Sequence, residues 1–375
     1  MTYESYNVRL GGKSPWTEVG YELDFDLLLN EAEEGKKYRN NMCVRMVKYG
    51  NYKIVKYDKE GVKSTDNPYT PYFRSIIFHN DEMVSFAPPK CVKTYTGKIN
   101  DKNIEVFEEE VLSKIRGNES LYDISYTEEG TMINMFWNGE KWDIATRSNV
   151  GAKNFYNFQE DGAKPITFAQ MFYEAFAWDR LNETMFKKDI CYSFVLKHPA
   201  NKMVYKYDRP SLILTNCYSI MKVTDNDKTY YDILDLFQLR NQCIDDRSIT
   251  CNRPKQYHLD DKTCNQVLLD IAYLDVDGVE DCSAKNVKPS KKGIVIYNKE
   301  TGTRVKVRSD IYDYVRELRG NNRKPMYNYL ELRKHNKLTE YLGFYPEDTY
   351  MFIKFSARME EFAQNIFDYY TDCFI

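Results

Sequence analysis

Paired cysteines are the first thing this 375-residue sequence lacks. Its nine cysteines stand singly at positions 43, 91, 191, 217, 243, 251, 264, 282 and 373, with no Cys-x-x-Cys among them. An odd total with no recurrent spacing does not suit a disulfide framework, so the thiols read as reduced and mostly buried in an intracellular protein. Long apolar runs are also missing. No window approaches about eighteen consecutive apolar residues, so no segment is expected to span a membrane. The opening MTYESYNVRLGGK has no signal-like apolar run. A large excess of either charge is missing as well, with 53 Lys and Arg against 56 Asp and Glu. A net charge of -3 excludes a uniformly basic coat for nucleic acid and leaves room for a local basic groove. There is no low-complexity linker and no repeat of fixed period.

What is present is apolar and aromatic. Hydrophobic residues make up 42% of the chain and aromatic residues 15%, enough for a packed core and too much for disorder as the main theme. The length suits one large or two ordinary domains. The first hundred residues combine a helical-looking patch, DFDLLLNEAEEGKKY, with the short strands MCVRMVKYG, YKIVKYD and RSIIFHNDEMVSFAPPK. Alternation is best over Ser75–Phe86, where SIIF and MVSF flank the turn-like HNDE. Residues 104–116 could form a helix.

The stretch YTEEGTMINMFWNGEKWDIATRSNVG, Tyr126 to Gly151, reads as a hairpin. Thr131, Ile133, Met135 and Trp137 share one side of a strand, and Met132, Asn134 and Phe136 share the other. Asn-Gly in NGE tolerates the positive φ of a tight turn. From Thr167 to Lys187 the spacing becomes helical, with Phe168, Met171, Phe172, Ala175 and Phe176 on one face and Thr167 as N-cap. CYSFVLKHPANKMVYKYDRPSLILTNCYSI predicts strands about an HPAN turn. A short helix is expected near Tyr231–Asn241, then a hairpin in KKGIVIYNKETGTRVKVRS. Beyond Asp310 the pattern is helical, with Pro346 suited to the first turn of the last helix. The expectation is an α+β body over residues 1–309 and a helical C-terminal domain over 310–375.

Four of these segments, in order, resemble the RNA ligases of the bacteriophage tRNA-repair type, members of the covalent nucleotidyltransferase superfamily. RSIIFHNDEMVSFAPPK looks like their arginine-bearing strand, and TEEGTMINMFWNGEKWDIATRS like the nucleophile hairpin opened by Lys-x-Asp-Gly. FVLKHPANKMVYKY resembles their Phe-Glu strand with its Pro-x-Asn turn. KGIVIYNKETGTRVKVRSDIY resembles the Glu-Gly strand followed by the Lys-x-Lys strand. The resemblance implies a ligase-type fold of antiparallel sheets flanked by helices, with a helical accessory domain.

The same resemblance implies a loss. Such ligases begin by attack of a lysine amine on the α-phosphate of ATP, because a desolvated lysine is a good nucleophile and the P–N bond can later be protonated and expelled. Here Thr127 stands at the lysine position, three residues before Gly130. A threonine hydroxyl is far harder to deprotonate, and its product would be a stable phosphodiester. The resemblance places the family's metal- and ribose-handling glutamate on Val195 and the glutamate before the glycine of the fourth segment on Lys292, and neither residue supplies the oxygen that Mg²⁺ requires. No other Lys-x-Asp-Gly or Lys-x-Glu-Gly opens a strand; DKEGVK, with Lys59, comes nearest and lies too early. The reading is a catalytically degenerate member with no metal ligands and no certain cofactor, ATP and Mg²⁺ being implied only if activity is retained.

The phosphate-binding side remains. The resemblance places Arg74, Gly130, Arg147, Ser148, Lys306 and Arg308 against nucleotide or RNA phosphates. Lys292 either sets a fixed positive charge where a metal would sit or is a solvated loop lysine beside Lys291. From Arg304 to Lys337 ten Lys/Arg face four Asp/Glu. That run is either a solvated face or an RNA contact in which Tyr312, Tyr314, Tyr327 and Tyr329 stack on bases. DVDGVED at 275–281 lacks the spacing of a calcium loop and reads as a polar turn. His198 reads as a turn residue, His258 has no zinc partners beyond Cys251 and Cys264 nearby, and Trp137 and Trp142 read as cross-strand packing. The expected function is binding of RNA or nucleotide phosphates, or scaffolding with protein partners, without covalent adenylyl transfer and without a membrane. Two alternatives stay open: an active ATP-dependent RNA ligase with a displaced nucleophile, and a structural virion or assembly protein. The composition and GTMINMFW look like ligase-like proteins of large DNA viruses, which implies host cytoplasm or virion.

Overall fold

The computed structural model describes residues 8–10, 44–57, 72–91, 93–97, 106–155, 165–225, 228–236, 251–273, 291–299, 303–320 and 324–374. In chain order the first strands are β1 (Val8–Leu10), β2 (Val44–Tyr49), β3 (Tyr52–Tyr57), β4 (Ile76–His79), β5 (Glu82–Phe86) and β6 (Lys93–Gly97). A short helical stretch over Glu108–Leu112 and Ser113–Ile115 precedes β7 (Tyr122–Tyr126), β8 (Thr131–Trp137), β9 (Trp142–Thr146) and β10 (Asn149–Val150). Helix α1 (Phe168–Trp178) leads to β11 (Ile190–Lys197), β12 (Ser211–Asp225) and β13 (Lys228–Asp235). Helix α2 (Cys264–Tyr273) precedes β14 (Gly293–Asn298) and β15 (Arg304–Ser309). The chain then turns helical: α3 (Asp310–Arg319), α4 (Pro325–Lys334), α5 (Leu338–Phe344) and α6 (Thr349–Phe374).

The strands form three sheets among the described residues, ordered β1-β13-β12-β11-β8-β9-β10, β6-β15-β14-β7 and β2-β3-β4-β5. Most neighbours are antiparallel; β1 runs parallel to β13, and β6 parallel to β15. The period-two pattern of β8 divides its side chains as read from the sequence. Phe136 faces the core shared with the β2–β5 sheet, which holds Ile54, Ile77 and Phe86. Ile133 and Met135 face α1, where Phe168, Met171, Phe172, Ala175 and Phe176 form one buried stripe. Alternating strand residues thus fill two cores with one sheet between them. Thr167 caps α1 in a full capping box with Gln170.

The β8–β9 turn works as its Asn-Gly suggests. Asn138 Oδ1 accepts from the backbone N–H of Glu140 and Lys141, Gly139 sits at φ +103°, and Trp137 packs edge-on against its cross-strand partner Trp142 at 5.8 Å. The smaller sheet β6-β15-β14-β7 carries its own core, with Ile124, Ile294, Ile296 and Val307 against Leu112, Ile115, Val267 and Ile271. The C-terminal helices close around Tyr312, Val315, Tyr329, Phe344, Phe352 and Phe355, joined by Val204 from the body.

Two sequence expectations need correction. Lys228–Asp235 is a strand, not the start of a helix near Tyr231–Asn241. Tyr231 and Ile233, two apart, are both buried, a spacing that fits a sheet face; residues 237–241 lie outside the described residues. The chain after the Pro199–Asn201 turn also forms no second strand before Ser211. Its backbone N–H groups at Val204 and Tyr205 donate to the Glu129 carboxylate instead of to a neighbouring strand. DFDLLLNEAEEGKKY, DVDGVED and Lys59 fall outside the described residues. Among the described residues no helix is long and apolar enough to cross a membrane.

Candidate functional site

Where the large sheet meets the smaller one, the ends of β7, β8, β11, β14 and β15 enclose a cavity of about 160 Å³. Thr127, Gly130, Val195, Lys292, Lys306 and Arg74 all line it. Residues separated by as many as 232 positions in the chain, 74 to 306, are therefore gathered at one place.

The TEEG loop is held from several sides. Thr127 N–H donates to the Gly293 carbonyl at 2.7 Å, which fastens the end of β7 to the start of β14. Gly130 sits at φ +149°, and a Cβ there would lie 2.3 Å from the Leu196 carbonyl oxygen and 2.7 Å from Val195 Cγ1. Gly293, at φ +142°, would place a Cβ 2.1 Å from the Val307 carbonyl oxygen. Only glycine fits either position, and its absence of a side chain is what lets three strands approach this closely.

Glu128 and Glu129, adjacent in sequence, go in different directions. Glu128 lines the cavity and its carboxylate pairs with Lys197 at 2.5 Å. Glu129 turns inward and is buried. Its carboxylate accepts from the backbone of Val204 and Tyr205 at 3.0 to 3.2 Å and from the Tyr312 hydroxyl at 2.7 Å. Buried charge is costly unless it is hydrogen-bonded in this way. Burial, followed by the nearby Glu129 charge, raises the pKa values of the Tyr205, Tyr207 and Tyr312 phenols well above the ordinary range, so these remain donors.

The electrostatics of the cavity are dominated by cations. Arg74, Lys292, Arg304 and Lys306 line it, each half-buried, and Glu128 is the one carboxylate among the lining residues. Withdrawal from water lowers the Lys306 pKa, and Arg74, Arg308 and Arg304 reinforce the shift. Arg74 is shifted down for the same reason, with Arg304 and Arg147 adding repulsion. Lys292 falls to about 7 through withdrawal from water first and the Lys306 charge second, Arg316 and Arg308 acting in the same sense and Glu129 opposing. Its amine donates to the Glu128 carbonyl at 3.2 Å. Arg304 packs over the Tyr297 ring at 5.4 Å, and its Nε has no hydrogen-bond partner.

The other expected phosphate contacts lie elsewhere. Arg147 lies outside the cavity lining and supports Arg74 from behind: its guanidinium donates to the carbonyls of Tyr57 at 2.5 Å and Arg74 at 3.3 Å, and stacks on the Tyr57 ring at 4.1 Å. Ser148 offers its carbonyl to the Tyr49 hydroxyl. Arg308 turns to Asp313 at 3.1 Å. Of the tyrosines read as stacking platforms, Tyr312 and Tyr329 are buried in the helical core, which removes them from that role, whereas Tyr314 and Tyr327 are exposed. Sequence reasoning did not single out Arg304, Tyr297, Thr215 or Asn216. The first two lay inside the quoted KKGIVIYNKETGTRVKVRS hairpin, and period-two alternation along the strand that carries Lys306 could have found Arg304.

A second, more open cleft of about 790 Å³ adjoins the cavity and shares Tyr126, Thr127, Glu128 and Lys292 with it. Lys206, Arg209, Arg253, Lys255 and Lys291 line it beside the exposed Trp178.

A divalent cation does not fit the inner cavity. Mg²⁺ wants several oxygen donors, whereas the single lining carboxylate is already paired with Lys197 and four cations surround it. Among the described residues no group of three or more His, Cys, Asp or Glu is placed to hold a metal. His198 holds its turn, accepting from Ala200 N–H at 3.1 Å with Glu174 at its other ring nitrogen.

Comparison with family models and with curated sequences finds no match. Among solved structures the chain is similar to a protein of Aquifex aeolicus assigned as an ATP-dependent DNA ligase, at 12% identity over 90% of this chain and 75% of that one, with a TM-score of 0.45. It is similar to an archaeal ATP-dependent RNA ligase at 12% identity, over 82% and 68% of the two chains, with a TM-score of 0.40. A variant of the RNA ligase of Naegleria gruberi with ATP and Mn gives 14% identity over 68% and 69%, with a TM-score of 0.33.

Proposed function

We propose that the protein is a ligase-like nucleotide-binding protein whose inner cavity takes the phosphates of a nucleoside triphosphate. One observation carries this reading. Arg74, Lys292, Arg304 and Lys306 converge on a cavity whose only lining carboxylate is already paired. Clustered, half-desolvated cations repel one another, and an anion with several oxygens relieves that repulsion. A phosphate chain supplies such oxygens. The sequence resemblance to RNA ligases points the same way. The adjoining cleft, basic and carrying Trp178, suits a single strand of RNA leading to the cavity, by backbone charge and base stacking.

The test is calorimetric titration with an ATP analogue whose α,β-bridge cannot be cleaved, in the presence of EDTA. Saturable binding without a divalent cation is expected, because Arg74, Lys292, Arg304 and Lys306 already supply the positive charge that the phosphates need. Lys306→Ala should weaken it by roughly tenfold or more, the worth of one charge-assisted hydrogen bond. Absence of binding by the unaltered protein, with or without Mg²⁺, would remove the reading.

A further inference from the structure

We propose that the outer half of α6 docks against the same segment of a second copy of this chain, as an antiparallel pair of helices. This face shares no residue with the lining of the inner cavity and is independent of nucleotide binding.

The helix is anchored at one end only. α6 runs for 26 residues, about 39 Å at 1.5 Å per residue. Phe352 and Phe355 are buried in the C-terminal core, and Met359 packs against it. From Glu360 to Tyr370 every residue is exposed, on all sides of the helix. A segment of this length is marginal as a solitary helix in water, and Phe, Tyr, Ile, Asn and Thr are weaker helix formers than Ala or Leu. Yet it holds out Phe362, Ile366, Phe367, Tyr369, Tyr370 and Phe374 at 53–75% exposure. Apolar surface gathered in this way marks an interaction site.

The spacing specifies what covers it. Phe355, Met359, Phe362, Ile366, Tyr369 and Cys373 follow one another at intervals of four, three, four, three and four residues. That is the 3.5-residue repeat that keeps one seam facing another helix. The seam begins at Phe355 inside the chain's own helical core and runs outwards, so its exposed half prolongs a helix-packing line already in use. Glu360, Glu361 and Asp368 fall on the side of the helix away from the seam. There the Glu360 carboxylate accepts the Ser356 hydroxyl at 3.2 Å, and Asp368 accepts the Gln364 amide at 2.7 Å. Phe367, Tyr370 and Phe374 widen the seam on one shoulder, where Tyr370 and Phe374 stack at 5.1 Å.

The flanking residues favour a second copy in the antiparallel sense. Stacking Met359 on Tyr369 and Phe362 on Ile366 of the other copy brings each Arg358 opposite the Asp372 of the other helix. The same register sets Asn365 opposite itself on the two-fold axis, as an isologous contact requires. A parallel pair in register would set Arg358 beside Ala363 and form no such charge pair. The area is also adequate. The six exposed apolar side chains, covered together, would contribute roughly 100 Å² each. Two copies then give on the order of 1,200 Å², the lower end of specific interfaces.

The experiment measures the mass of the full chain, freed of nucleic acid, by light scattering and sedimentation equilibrium from about 1 to 100 µM. The expected result is a dimer whose fraction rises with concentration. Phe362→Gln/Tyr369→Gln should give a monomer that still binds the uncleavable ATP analogue as the parent does, which shows that the fold is intact. Arg358→Asp and Asp372→Arg should each weaken association about tenfold, by removing two charge pairs and opposing like charges. The double variant Arg358→Asp/Asp372→Arg should recover the parent affinity to within about threefold. A monomer at every concentration leaves the seam to a different protein and overturns the proposal, as does a dimer that Phe362→Gln/Tyr369→Gln leaves intact. A dimer lost in that variant but indifferent to charge reversal overturns the antiparallel register.

Discussion

The Glu129 carboxylate accepts the Tyr312 hydroxyl at 2.7 Å across 183 residues of sequence. One acid of the TEEG loop thus anchors the first C-terminal helix, while its neighbour Glu128 faces the cavity. The same carboxylate takes the backbone donors of Val204 and Tyr205, whose segment enters the helical core through Val204. Removing the acceptor leaves three buried donors unsatisfied. Glu129→Ala is expected to cost about 3 kcal/mol or more, and Tyr312→Phe about 1.5–3 kcal/mol. In a double-mutant cycle the two should couple rather than add. Urea denaturation of the four proteins checks this; strict additivity would show that the pair does not hold helix and body together.

Gly130 and Gly293 offer a test at the backbone. A methyl group at either would sit 2.3 or 2.1 Å from a carbonyl oxygen, with φ in a region that L-residues avoid. Gly130→Ala and Gly293→Ala are each expected to lower stability by about 2 kcal/mol or more through strain and strand displacement. Because β11 and β15 form the cavity walls, analogue binding should fall in both. A melting temperature within a degree or two of the unaltered protein would show that the strands are not held in this contact.

These two contacts also mark what was and was not legible in the sequence. The hairpins, α1 with its Thr167 cap, and the helical end all follow from local signals: alternation, Asn-Gly, Ser/Thr before a 3.6-residue stripe. Motif order placed Arg74, Gly130 and Lys306 on one expected phosphate-binding side and left Lys292 between two readings; the fold gathers all four at one cavity. What stayed hidden was long-range. MVYKY alternates like a strand, yet its amides go to Glu129, and no local pattern announces an acceptor 75 residues upstream. Tyr312 and Tyr329 look like stacking residues in a basic run, but their 0% and 3% exposure comes from packing among helices. Arg147 and Arg74 are both cations in matching motifs; only the fold shows that one supports the other.

The two cations of the Lys-x-Arg strand should behave differently. Lys306 lines the cavity, whereas Arg308, two residues on and therefore on the same strand face, is drawn to Asp313 at the start of α3. Lys306→Ala is expected to weaken analogue binding roughly tenfold or more, and Arg308→Ala by less than about threefold. Equal losses would mean that Arg308 leaves Asp313 to join the bound phosphate.

Stability should depend on pH through Lys292. In the unfolded chain this lysine titrates near its ordinary 10.5, and in the folded chain near 7. Between those values the unfolded state binds the extra proton, so stability rises as pH increases from about 7 towards 10.5; below about pH 7 both states are protonated and the full penalty of the buried charge is present. Lys292→Met removes the titrating group and keeps most of the stem's apolar packing. The variant is expected to be more stable than the parent at pH 6–7 and to show a flatter rise in denaturation midpoint between about pH 7 and 10. The decisive quantity is the difference between the two pH profiles, which cancels every other group that titrates in that range. A difference that does not change with pH would show that the Lys292 amine stays protonated in the fold and is a fixed positive charge of the cavity.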